Sequence, residues 1–482
     1  MADFRKKVLI IGYGAVSQCT LPILLKHVKI PFENITIIDI EDKSKPLKEW
    51  KSKGVKFFQQ QITPENLSKV IDEHLEHGGL LIDLAWNIDC YEILKACHER
   101  DILYVNTSVE VWDSKSEMLT KTTFEKTLYY RHMQLKEKTK GWENSVTAVL
   151  DHGANPGLIS HFTKRALIDI THRLIKDKKV SPVEGKSLLA LSREHKFGEL
   201  AMNLGVKVIH CSERDTQVTS KPKQVNECVG TWSIEGLREE GSAPAEIGWG
   251  LHEKELPKNS VVPPYGPKNQ ICLSQMGMNT WIRSWIPDEE IVGMVIRHGE
   301  AFGISDRFTV YKNGKPIYRP TVHYAYMTCH ETISSLHELR GRNYELQPKL
   351  RIMYDDIVSG ADILGALVMG HKYNSWWTGS ILNIEEARRL VPNQNATTVQ
   401  VALGVVTAVR YMLENPRKGI LLPDDLPHEF VLPIAMQYLG KWVSEPYDWT
   451  PLKNRTVFFI ENKKQDFDKS DPWQFKNFLF VP

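Results

Sequence analysis

The chain has 482 residues, a net charge of +2, 42% hydrophobic and 25% charged residues, which predicts at least two globular domains and excludes nucleic-acid or membrane binding driven by bulk charge. No apolar run reaches the ~18 residues of a membrane span, and the apolar residues near the N-terminus are too few for a signal segment. Seven cysteines without CxxC spacing predict reduced thiols in a cytoplasmic protein, with no disulfide framework and no metal site.

Residues 7–11 (Lys-Val-Leu-Ile-Ile) predict a strand, followed by Gly12-Tyr13-Gly14-Ala15-Val16-Ser17 and a helical pattern through Leu21, Leu24 and Leu25. A second strand, from Ile35, ends on Asp39. Strand, Gly-rich turn, helix, strand, acid is the order of a dinucleotide-binding βαβ unit. Gly12 permits the sharp turn, Gly14 lets a pyrophosphate approach the backbone, and the amides near Val16 at the helix start face its charge. Ser17 stands where a third Gly or Ala is usual. A carboxylate at Asp39 accepts from a ribose 2′-OH and repels a 2′-phosphate, which favours NAD; Lys43 and Lys45 weaken that preference.

The alternation continues with strands at 55–60, 80–86 and 102–107, helices at 64–77 and 89–100, one long charged helix over 113–139, and a strand at 145–150. Helices between apolar strands imply right-handed parallel crossovers, hence a Rossmann-type α/β domain over 1–155. Beyond residue 180 strands dominate, at 187–192, 206–211, 227–234, 270–273, 290–296, 351–354 and 366–369. A hairpin at 308–323 turns on Asn313-Gly314, and one clear helix is expected at 328–339. This is a second, α+β domain over 156–383 with a mixed or antiparallel sheet. Helices at 384–390, 397–414 and 429–440 open a third segment, 384–482, expected with its tail to pack back on the first domain.

Asp151-His-Gly-Ala-Asn-Pro-Gly157 follows a strand, at the edge where open α/β sheets bind ligands. Asn155 before Pro156 reads as a helix N-cap, as a substrate contact, or as both. Glu110 reads equally as a helix-start acid or a crevice carboxylate, and Asn87 and Asp89 share that ambiguity. In the second domain Glu213, Trp232, Glu235, Glu239, Glu240, Glu246, His298 and Glu300 cluster near strand ends. A tryptophan among carboxylates suits a cationic amine by cation–π attraction and charge-assisted hydrogen bonds; Trp232 as a plain core residue remains the competing reading.

These segments, with Gly230-Thr-Trp-Ser-Ile-Glu-Gly, Met278-Asn-Thr-Trp-Ile-Arg-Ser-Trp and Ile296-Arg-His-Gly-Glu-Ala, resemble the bacterial-type homospermidine synthases over nearly the whole chain, within a wider fold family similar to saccharopine dehydrogenases. The resemblance implies a reaction that takes a hydride onto NAD from putrescine, exchanges amines with loss of ammonia, and returns the hydride to the new Schiff base, giving sym-homospermidine; spermidine is an alternative donor. It implies Trp232 as the cation–π residue, Glu213 and Glu240 holding or deprotonating amines, and Asn155, Glu110, His298 and Glu300 lining the inner pocket. Gly12, Gly14, Val16 and Asp39 would hold NAD. His298 and Glu213 are both candidates for the general base. A homodimer is expected from the broad second sheet. The competing activity is a saccharopine- or carboxynorspermidine-type dehydrogenase, which needs a basic residue for a substrate carboxylate; Arg214, Arg238 and Arg297 are its candidates. A catalytically silent NAD-binding protein is the third reading.

Overall fold

The computed structural model describes residues 2–456 and 467–480. The first sheet has seven parallel strands in the order Ile420–Leu421, Ala148–Val149, Leu103–Asn106, Leu80–Asp83, Val8–Ile11, Ile35–Asp39, Lys56–Gln59. Val8–Ile11 and Leu80–Asp83 are buried at every position. That is why they read as unbroken apolar runs rather than alternating ones. Val8–Ile11 lies between Ile35–Asp39 and Leu80–Asp83, so the strand order reverses at its carboxyl end and opens a crevice there.

The second sheet is mixed. Its central strands, Val208–Asp215 and Thr321–Met327, run parallel, and its other pairings are antiparallel. Leu158–Lys176 packs across Ala361–His371 and Asn374–Asn383. Trp449, Trp473, Phe475 and Phe478 share a further apolar cluster with Val208, Leu367 and Trp377 of the sheet.

Several elements differ from expectation. Residues 187–192 lie inside the helix Pro182–Arg193, where Ser181 and Glu184 form a capping box and Pro182 opens the first turn. The segment 113–139 holds two helices, Ser114–Thr120 and Leu128–Lys138, with a 3-10 turn at Phe124–Lys126 between them. The strand from Glu227 stops at Gly230, and Ser233 caps a helix, Ile234–Ser242. Phe197–Leu204 and Gly299–Arg307 are further helices in the region expected to hold one. The helix from His428 ends at Ala435.

Helix Ala396–Glu414 is long and apolar enough by length and composition to cross a bilayer, yet it is buried against the first helix, Ala15–His27. Its Gly404 sits where a Cβ would lie 2.0 Å from the Gly153 carbonyl oxygen, so only glycine allows the helix this close to the loop after Ala148–Val149. With Ile420–Leu421 it returns to the first sheet. The tail does not follow: Lys441–Tyr447 joins the second sheet beside Asn374–Asn383. Part of the tail, 457–466, lies outside the described residues.

Candidate functional site

Gly12 ends its strand with φ of 83°, and a Cβ there would meet Ala85 N and Leu84 O at 2.8 Å. The turn therefore needs glycine both for its backbone conformation and for space. Gly14 caps the helix Ala15–His27, and a Cβ on it would meet no atom within 4 Å. The buried Ser17 hydroxyl donates to the Gly12 carbonyl, so this third small residue ties the turn to the helix. Asp39 accepts from Tyr13 N at 2.6 Å and Glu41 N at 2.8 Å. Each oxygen keeps a second lone pair, so the carboxylate can still accept from a ribose hydroxyl. Lys43 is paired with Glu41. The free helix amides, the open ground above Gly14 and the acid at the next strand end together fit a dinucleotide.

The crevice continues into a cleft with about 870 Å³ of empty space, its open mouth included. Val16, Leu84–Trp86, Thr107, Ser108 and Glu110 line it from the first sheet's carboxyl edge, and Asn155, Glu213, Trp232, Glu240 and Tyr324 from the other side. Thr397 and Val401 of the C-terminal helix close it.

Asn155 is not a helix cap. Its peptide to Pro156 is cis, and the helix starts at Leu158 with Gly157 as its cap. Its amide instead donates to Glu213 Oε2 and the Tyr324 hydroxyl, both at 2.5 Å. Tyr324 also donates to Glu213. Glu110 starts no helix. Ser108 donates to its Oε1 at 2.7 Å, and its Oε2 is buried without a donor. Asp89 does cap a helix, accepting from Glu92 N, and Asn87 accepts from Ser114.

Burial pushes Glu213 up to about 7 against the pull of the Tyr324 and Asn155 hydrogen bonds. Burial and the neighbouring Glu239 raise Glu110 to about 7, and burial raises Glu240 to about 8. Three cleft carboxyls are thus held near neutrality. His298 goes the other way. Burial would lower it, but its ion pair with Glu300 and the nearby Glu240 raise it to about 9. Its ring centroid lies 4.4 Å from that of Tyr324, and Glu300 Oε1 also accepts from Gly157 N at 2.9 Å.

Trp232 is half-buried. It packs on the core with one side and lines the cleft with the other. Its indole N–H donates to Tyr326 at 3.1 Å. Glu239 is a structural ion-pair partner: Arg131 and Arg297 reach its Oε1 at 3.0 and 2.8 Å, and Trp86 reaches its Oε2 at 3.0 Å. Those cations hold its carboxyl down at about 2 in spite of burial. Glu246 is likewise engaged, accepting from Leu128 N, Tyr129 N and Gln270.

Arg214 donates to the Asp215 and Thr328 carbonyls, Arg238 to the Tyr344 carbonyl, and Arg297 to Glu239. Among the described residues no Arg or Lys lines the cleft. Tyr324, Trp86 and Thr397 are site residues the sequence did not single out. Tyr324 lies in an apolar strand and Thr397 in an apolar helix start, and neither position carries a motif.

Residues 8–149 match the family model of the saccharopine dehydrogenase NADP-binding domain, and 153–445 that of the saccharopine dehydrogenase C-terminal domain. The chain is 37% identical to a homospermidine synthase of Mesorhizobium japonicum, over 98% of this chain and 96% of that one. It is 38% identical to a homospermidine synthase of Blastochloris viridis, over 98% and 97%. A crystal structure of the Legionella pneumophila homospermidine synthase with NAD superposes with a TM-score of 0.87 at 35% identity, covering 99% of this chain and 98% of that one. On the cleft and these likenesses together, the chain belongs to the homospermidine synthase family, built on the saccharopine dehydrogenase fold.

Proposed function

We propose that the cleft performs NAD-dependent aminobutyl transfer, joining two putrescine molecules, or spermidine and putrescine, into sym-homospermidine without net redox change. One observation carries the reading: the cleft is lined by Glu110, Glu213, Glu240 and the Trp232 ring, and by no Arg or Lys among the described residues. That lining suits a diamine dication. A dehydrogenase acting on amino acids would need a cation for the substrate carboxylate, and Arg214, Arg238 and Arg297 are all engaged elsewhere.

Gly12, Gly14, Val16 and Asp39 would hold NAD, which when bound supplies the hydride acceptor and then the hydride donor of one cycle. The chain's own residues handle the cations and the protons. Glu110 and Glu240 ionise as an ammonium arrives, because an opposite charge lowers a raised carboxyl. Glu213 is the general base: it sits near neutrality, as an efficient base should. His298 already carries its proton at that pH, so its part is to hold Glu300 and the loop around Asn155. The Trp232 face stabilises the iminium cation between the two amine positions.

Purified protein given putrescine and a trace of NAD is expected to release homospermidine and ammonia far in excess of the NAD supplied. NADH accumulating in step with product, or a requirement for an added keto acid or semialdehyde, would overturn the reading. Trp232→Ala is expected to lower kcat by about 2- to 30-fold, the equivalent of ~0.5–2 kcal/mol of cation–π attraction. Trp232→Phe, which keeps a weaker ring face, should retain more activity. Equal and unimpaired rates in both variants would return Trp232 to a packing role.

A further inference from the structure

Behind Glu213 lies a group of acids that the reaction as described does not use. Glu213 and Asp215 alternate along Val208–Asp215 and so project from one face of the sheet. Asp362 is the cross-strand partner of Asp215 on Ala361–His371, which puts it on the same face and diagonal to Glu213. All three are buried, at 3%, 0% and 1% exposure, and no Lys or Arg is ion-paired with them among the described residues.

Their surroundings differ. Asp215 collects donors from Gln217 N, Gln217 Nε2 and Thr231 Oγ1. Asp362 receives one, from Thr397 Oγ1 to Oδ2 at 2.6 Å. Its Oδ1 is buried without a donor, on the sheet face it shares with Glu213. Two ionised carboxyls buried side by side repel each other and offer only acceptors, unless one of them carries a proton. Glu213 already accepts from Asn155 and Tyr324, while Asp362 lacks such donors. The proton therefore sits on Asp362. Burial and the charges of Glu213 and Asp215 push Asp362 far above the ordinary carboxyl range, in the same sense. The other titratable groups facing the pair are Tyr324, Tyr326, Cys211 and His298.

We propose that Asp362 is a positioning residue for the general base: kept as a neutral acid, its O–H donates to Glu213 and holds that carboxylate ionised and aimed at the amine. The proposal rests on the aminobutyl-transfer reading. Two diamine dications enter, and a homospermidine trication and an ammonium leave, so charge and protons balance over the cycle. The amine N–H bond that breaks gives its proton to a Glu213 oxygen, and the same O–H later returns it to nitrogen. Glu213 must therefore be poised to do both, and a neutral donor behind it stabilises its anion without adding charge.

Removing the donor with Asp362→Ala should leave Glu213 harder to ionise. The acid limb of kcat/KM for putrescine is expected to move up by about one pH unit, with a fall of about ten- to a hundred-fold at neutral pH. Asp362→Asn, which still donates, should restore activity to within about three-fold of wild type, as expected for a retained hydrogen bond. If both variants lose activity equally with the limb unmoved, Asp362 is only structural and the proposal fails.

Infrared difference spectra in H₂O and D₂O give a readout independent of activity. Beside the signal of Glu240, which also keeps its proton at neutral pH, one buried protonated-carboxyl component should be lost in Asp362→Asn and persist in Glu213→Gln. A wild-type spectrum in which no protonated-carboxyl component is lost on Asp362→Asn overturns the assignment even where Asp362→Ala does not fold. A wild-type protein that shows the band yet forms no homospermidine would overturn the proposed activity and leave the protonation of Asp362 standing.

Discussion

Glu213→Gln is expected to cut homospermidine formation by about 10²- to 10⁴-fold, the range for loss of a positioned general base, while NAD affinity stays unchanged. The amide preserves the side chain's size and can still bond Asn155 and Tyr324, which hold the carboxylate in place. What it loses is the ability to take a proton. With Glu213 as the base, the deprotonated form of a group raised to about 7 does the work, so kcat/KM should rise with pH and level off above about 7. The same shift predicts the sign of a stability change. Unfolded, this carboxyl loses its proton near 4.5; folded, it keeps it to about 7. Between those values the folded state binds more protons than the unfolded one, so stability falls as pH rises. Above pH 7 the non-ionising Gln variant should therefore melt at a higher temperature than wild type while being nearly inactive. A rate within ten-fold of wild type, with the acid limb intact, would remove Glu213 from the base role.

That the cleft buries an acid with no cation beside it bears on what could be read from the sequence. The cofactor half was legible because its function is written in local backbone rules: Gly12 at a positive φ, a small Ser17 at the packing point, and an acid ending the next strand. The substrate half depends on pairings between distant segments. Glu213 and Tyr324 become neighbours because two strands more than a hundred residues apart run parallel, and no local pattern encodes that pairing. Asn155 showed the cost of a local rule: Asn-Pro reads as a helix start, yet its side chain turns to Glu213. Glu239, adjacent to Glu240, looked equivalent in sequence. Only the fold gives one of them two arginines and leaves the other in the cleft.

The misread helix Pro182–Arg193 had a different cause. The run Leu188-Leu189-Ala190-Leu191 resembles a buried strand by hydropathy, while the deciding signals, the Ser181–Glu184 box and Pro182, lie a turn earlier. Strand Asn374–Asn383 was missed because its Trp-Trp-Thr-Gly-Ser run lies buried on both faces and shows no alternation.

Gly14→Val separates the two uses of glycine in the opening turn. A Cβ at Gly14 meets nothing within 4 Å, and its φ of −79° suits any residue, so the variant should fold with a melting temperature close to wild type. A Cβ at Gly12 meets backbone at 2.8 Å from a φ of 83°, so Gly12→Ala should lose stability before cofactor binding can be measured. The open space above Gly14 has a use only if a pyrophosphate packs there. Filling it should weaken NAD binding by about ten- to a hundred-fold, the equivalent of the ~1–3 kcal/mol typical of overpacking a tight contact. Isothermal titration with NAD checks this directly, and unchanged affinity would show that the cofactor does not approach the backbone at Gly14. Turnover adds a second measure. Because this chemistry returns what it takes from the substrate within one cycle, a site that releases its cofactor midway loses product as well as affinity. At trace NAD, Gly14→Val should therefore form fewer homospermidines per NAD than its rate at saturating NAD would suggest, and excess NAD should restore most of the difference.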